Sequence, residues 1–185
     1  MAIIKSVNRK HLGDAAPKPK DPNILIYDVE DVETFPSVDE KGVKTTNDLV
    51  LKTGTKGIGV YVTEDTLSRN DAIEGDPPSQ RFIHNVSGTA PGDTLALNEI
   101  VKNYINRPLI IITKGCMSDK LTRLHGLPCA PLYMTSEETD NNEATNKALS
   151  FAQRNGLEYK SFHYSGTIPP IEEYATDDEP AVGGM

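Results

Sequence analysis

Apolar and polar positions alternate with a period of two along much of the chain, which predicts strands. NILIYDVEDVETF (23–35) sets Ile24 and Ile26 against Leu25 and Tyr27, then continues through Val29 and Val32, as a half-buried strand with a bulge does. NDLVLK (47–52) and GIGVYVT (57–63) are rich in β-branched residues and joined through TGT at a hairpin-length spacing. RFIHNVSG (81–88) predicts a further short strand, and the consecutive bulky residues of LIIITK (109–114) predict a strand buried on both faces. APLYMTSEET (130–139) alternates Leu132 and Met134 against Tyr133 and Thr135, with ATNKALSFAQRN (144–155) as its partner across TDNNE. KSFHYSGTI (160–168) is placed to close the sheet.

The period changes once. In DTLALNEIVKNYIN (93–106), Leu97, Ile100, Val101, Tyr104 and Ile105 fall on one helical face. Asp93 or Thr94 can cap it and Pro108 prevents its continuation, while so short a helix needs a sheet beneath it for stability. EDTLSRNDAIEGDPPSQ (64–80) holds no period, ends in GDPP and reads as a long loop. KGCMSDK (114–120) turns the chain and LTRLH returns it, so that Cys116 sits at a hairpin turn and His125 at the end of the returning strand. Prolines and polar residues mark 1–22 as an extended basic arm and 169–185 as an acidic flexible tail, on either side of a β domain at 23–168 with one packed helix.

Composition sharpens this picture. For 185 residues, 37% hydrophobic content, no Trp and a mean hydropathy of -0.44 describe a lean core with segments that are solvated or depend on partners. Ordering such tails costs ~1–2 kcal/mol per residue in backbone entropy, which points to a neighbouring subunit as what holds them. A net charge of -8 argues against a surface that grips nucleic acid, though not against one that it slides past. Residues 1–21 carry +3 and residues 169–185 carry -5, so the ends are opposite in sign. The stretch before Lys5 is too short for a secretory core, and the longest apolar run, 109–112, is far below the ~20 residues that span a bilayer. No membrane partner is expected. The two cysteines fit reduced thiols, and Asn85-Val86-Ser87 matches a glycosylation pattern without meaning outside secretion.

Each patch of chemistry has a plainer explanation. CMSDKLTRLHGLPC (116–129) holds both cysteines and one histidine, and Cys116, His125, Cys129 and distant His163 would make four zinc ligands. Zinc sites usually supply their donors in short pairs, however, and nothing nearby lowers a thiol pKa for nucleophilic work. KTGTKG (52–57) lacks the spacing and the flanking helix of a phosphate loop. Glu137-Glu138, Glu172-Glu173 and Asp177-Asp178 are neighbours that point to opposite faces of an extended chain, so they do not work as acid and base. His11 lies in the basic arm, and His84 and His163 read as partly buried strand residues. No enzyme activity, cofactor or metal is expected.

From Arg81 onward the order of elements resembles the C-terminal half of bacteriophage tail tube proteins. The features are a glycine-containing approach (GTAPGD), a short amphipathic helix (LNEIVKNYI), an apolar strand (PLIIITK), a hairpin (GCMSDK), a returning strand ending in G-x-P (LTRLHGLP) and two long strands joined at DNN. The resemblance covers about half the chain. It implies an antiparallel β-sandwich or barrel with one helix, assembling into hexameric rings that stack into a hollow tube, with long loops and terminal arms joining the rings. The expectation is a structural virion protein, made in the bacterial host cytoplasm and resident in the virion tail. Its partners would be copies of itself, other tail or connector proteins, and double-stranded DNA passing through the lumen. Candidate inter-subunit contacts are Lys10, Lys18 and Lys20 in the arm, Glu64, Asp65 and Asp71 in the long loop, and Asp177, Asp178 and Glu179 in the tail. The basic, proline-containing arm departs from the family pattern and keeps a head–tail connector or capsid-associated subunit open. A small metal-binding protein or enzyme built on Cys116, His125, Cys129 and His163 is the other alternative.

Overall fold

The computed structural model describes Ser6 and residues 20–116 and 122–175. Its centre is a pair of antiparallel strands, β1 (Lys20–Asp28) and β7 (Leu109–Gly115), in register from Ile24↔Thr113 to Asp28↔Leu109. Ile24, Ile26, Leu109 and Ile111 face one apolar cluster, and Leu25, Tyr27, Ile110 and Ile112 face another. The double-sided burial expected of β7 is therefore present, and β1 shares it. β1 is not half-buried, because a second layer lies across what would have been its solvent face.

The first cluster is closed by β4 (Ile58–Tyr61), β6 (Arg81–Pro91), β9 (Leu132–Asp140), β10 (Thr145–Gln153) and helix α1 (Leu95–Tyr104). α1 lies where its stripe predicts. Leu97 is buried, Ile100, Val101 and Tyr104 pack against the cluster, and Thr94 Oγ1 accepts the Leu97 amide at 3.3 Å as N-cap. Ile105, the last residue of the predicted stripe, is instead half exposed just past the helix end. The second cluster is closed by Leu49, Phe162 and Tyr164, with Phe35, Ile168 and Ile171 packed against it.

The strands form a nine-stranded antiparallel sheet. β1 lies between β4 and β7, while the far edge of β7 is shared by β8 (Arg123–His125) and β9. β11 (Phe162–His163) extends β8, and β10, β6 and β5 (Ser68–Glu74) extend β9. The sheet curls until β5 reaches back to the centre: Arg69 Nη1 donates to Thr113 Oγ1 at 3.2 Å, and Ser161 Oγ donates to Asp71 Oδ2 at 2.8 Å. β2 (Val32–Thr34) and β3 (Val50–Leu51) make a separate two-stranded sheet. The architecture is a mainly β antiparallel sandwich with one helix, as expected.

Three local expectations are corrected. Residues 64–80 are not one long loop, because Ser68–Glu74 pair with β6 from Ser68↔Ser87 to Glu74↔Arg81 and only the turn at 75–80 is irregular. Segments 47–52 and 57–63 do not form a hairpin, because β3 pairs back to β2 while β4 pairs with β1. The stretch 160–168 adds only two strand residues to the sheet, at β11. Strand pairing already begins at Lys20, opposite Gly115, and the chain at 169–171 is docked on its own domain. Tyr27 Oη donates to the Pro169 carbonyl at 3.1 Å, Gly57 N to the Pro170 carbonyl at 2.9 Å, and Glu172 N to the Gly57 carbonyl at 2.8 Å. A Cβ on Gly57 would lie 2.4 Å from the Tyr27 ring, so this junction requires glycine.

Candidate assembly surfaces

A strand needs partners on both edges, and among the described residues β4, β5 and the outer half of β9 each leave one edge without a neighbouring strand. β5 ends one side of the sheet, with β6 as its one strand neighbour among the described residues. β9 pairs with β10 along its length, but its other edge meets β7 only at Leu109↔Leu132 and Ile105 at Met134. Among the described residues, Thr135–Asp140 therefore present an edge with no strand beside it. Every residue from Thr135 to Thr145 is exposed, so the β9–β10 hairpin stands out beyond the core. Edges of this kind are templates for another chain unless blocked by charge, proline or a covering element. The β9 edge carries Glu137, Glu138 and Asp140; the β5 edge carries Ile73, an isoleucine with 61% of its surface exposed.

The root of the hairpin is fixed by a lysine at a core position. Lys147 lies in phase with inward-facing Leu149 and Phe151, and its side chain is 2% exposed. Its Nζ emerges between Asp93 Oδ1 at 2.9 Å and Glu138 Oε2 at 2.6 Å, an apolar stem carrying a charge to the rim. The ion pairs hold the Lys147 pKa up and the Asp93 pKa down.

The residues singled out in the sequence fall in different settings. Glu64 and Asp65 are exposed on a 3₁₀ turn (Glu64–Thr66). Asp71 lies on β5 with its carboxylate held inside the chain by the Ser161 amide at 3.3 Å and hydroxyl at 2.8 Å. Lys20 opens β1. Lys10, Lys18, Asp177, Asp178 and Glu179 lie outside the described residues, as does His11. The structure adds Ile73 and Lys147. Ile73 was hidden in a segment without period, and Lys147 had one visible sign, a lysine in step with the apolar positions of KALSF.

The β7–β8 hairpin forms as expected, from Ile111↔His125 to Thr113↔Arg123. It separates the residues of the metal alternative: Cys116, Cys129 and His163 are exposed, whereas His125 is 1% exposed. Among the described residues, no three His, Cys, Asp or Glu side chains are placed to hold a metal ion. His163 is not the partly buried strand residue expected of it, because β11 is so short that its side chain stays at the surface. His84 is fully buried.

His84 and His125 form a buried polar cluster. His84 Nδ1 accepts the Gly126 amide at 3.1 Å and Nε2 faces the Tyr159 carbonyl at 2.8 Å, which fixes a neutral ring with the proton on Nε2. Gln153 bridges the same region, accepting from His84 N at 2.9 Å and donating to the Ala130 carbonyl at 2.7 Å. His125 Nε2 lies 3.2 Å from Thr113 Oγ1, and its Nδ1 has no partner in the described chain. Burial lowers both imidazole pKa values, and His84, Arg69 and Arg123 push that of His125 further down. The cluster knits β6, β7, β8 and the turns around Gly126 and Tyr159, and both imidazoles are shut off from solvent.

Compared with family models, curated proteins and solved structures, the chain matches none.

Proposed function

We propose that the protein is a non-enzymatic structural subunit of a bacteriophage tail tube, which self-assembles into stacked rings around a conduit for DNA. The single observation that carries the proposal is the pair of unsatisfied sheet edges, β5 and the outer half of β9, within one folded unit. They differ in sequence, so pairing β5 of one copy with β9 of the next is a contact between unlike patches. Joining unlike edges head to tail generates rings when the rotation closes and filaments when it does not. The family resemblance selects rings from these outcomes. A projecting hairpin carrying Glu137, Glu138, Asp140 and Glu143 on a chain of net charge -8 offers DNA phosphates little to hold, as a conduit requires.

Electron microscopy and sedimentation of the concentrated protein over a range of salt test the proposal. Rings or tubes are the expected result, and a strictly monomeric species under all conditions overturns it. Ile73→Lys puts a charge on the open edge of β5 and should weaken assembly about tenfold or more, while the unfolding free energy of the single subunit stays within ~0.5 kcal/mol.

A further inference from the structure

Beside β4 runs a groove of about 380 Å³ between that strand, α1 and residues 172–175. One side of β4 is taken by β1, from Asn23↔Tyr61 to Ile26↔Ile58. Along its other side the chain hydrogen-bonds at Gly57 and lays the Tyr174 ring against Gly59, and among the described residues no strand pairs with Ile58–Tyr61 there. The groove floor is apolar, with Ile58, Leu97 and Ile100. Tyr61 and Tyr174, 46% and 51% exposed, line it, the kind of half-buried aromatic surface that anchors protein contacts. Its rim carries Glu99, Glu172 and Glu173, with Lys56 on Glu172 at 3.1 Å as the one cation in contact with them among the described residues. An open backbone edge, an apolar floor and an acidic rim together suit an extended segment that carries both apolar and basic side chains.

We infer that this groove receives residues 3–12 of a second copy of the chain, added as a strand along β4. The inference rests on the self-assembly proposed above and names its contact. Residues 3–12, IIKSVNRKHL, combine Ile3, Ile4, Val7 and Leu12 for the floor with Lys5, Arg9 and Lys10 for the rim. Ten extended residues reach ~33 Å, ample for the four residues of β4 and the groove beyond it. The way the chain enters β1 favours a neighbour over the same molecule. At Lys20 it lies opposite Gly115, and Asp21 pairs with Lys114 at 3.2 Å, so it arrives on the β7 side, away from the open edge of β4. Each copy then gives one arm and accepts another, a heterologous contact distinct from the β5 and β9 edges.

Charge reversal in the full chain tests this by sedimentation velocity. A groove variant, Glu99→Lys with Glu173→Lys, and an arm variant, Lys5→Glu with Arg9→Glu and Lys10→Glu, should each self-associate about tenfold or more weakly than the parent. Mixed in equal amounts, they should associate again, because the basic arm of the groove variant meets the intact acidic groove and the reversed arm meets the reversed groove. A labelled peptide of residues 1–19 should bind the arm variant and not the groove variant, which keeps the test decisive even if one variant associates through other surfaces. If both variants associate as the parent does, the arm inference fails while the tube proposal stands. If the variants are weakened yet stay monomeric when mixed, the arm fills its own groove and the inference is overturned. A parent that never associates overturns both.

Discussion

His84 and His125 lie edge to face with ring centres 6.2 Å apart, each held neutral by the protein around it. Half-buried Arg69 and Arg123 lie near the pair with Asp71 beside them, so a proton on His125 would add a third cation against one carboxylate. The unfolded chain takes up these protons near the ordinary histidine value of ~6.5, whereas the folded chain takes up that of His84 at lower pH and that of His125 only well below it. Stability is then full above that pH and falls as acid is added. The expected slope, read from urea unfolding between pH 7.5 and 5, is up to ~1.4 kcal/mol per pH unit for each histidine. His125→Leu should remove at least half of it, whatever constant offset the lost Thr113 contact introduces; an unchanged slope would assign the effect elsewhere. In the sequence, His84 was legible as a strand residue because its neighbours alternate. That His125 would face it was not legible, since the two come together only through Gly126 and the curl of the sheet.

At the scale of elements, legibility followed apolar periodicity. α1, β7 and the β9–β10 hairpin were readable because burial imposes a period on their sequences. β5 was not, since an edge strand open on one side carries polar residues on both faces and leaves no alternation to read. The TGT connection misled for another reason: local turn chemistry permits a hairpin, but β4 gains more by lying on the apolar β1 than on the two-residue β3. The α1 cap gives a direct check. Thr94→Ala removes the acceptor for the Leu97 amide and should cost ~1 kcal/mol by chemical denaturation, with Thr94→Ser recovering most of it. A null result would mean that packing of Leu97 and Ile100 alone fixes the helix.

For the whole molecule, the chain beyond Ile168 belongs partly to the fold. Tyr27 Oη, Gly57 and Ile171 bind it to the second cluster, so removal of residues 169–185 should destabilise the subunit by ~2–4 kcal/mol. Removal of 176–185 alone should leave the unfolding curve within ~0.5 kcal/mol of the parent. Thermal unfolding of the two truncations separates these outcomes, and equal behaviour would count against the docking of 169–175. Composition led toward a tail held by another subunit. The docking depends on a ring and a glycine, Tyr27 and Gly57, that no pattern in the sequence links to Pro169.

β1 and β7, apolar on both faces, leave the molecule without a layer it can shed. Peeling either cluster away would wet one whole side of the same two strands, so neither half can survive as a partly melted form. A particle made of such subunits would yield under load by parting at the joints between them, each building block staying intact until it gives way all at once.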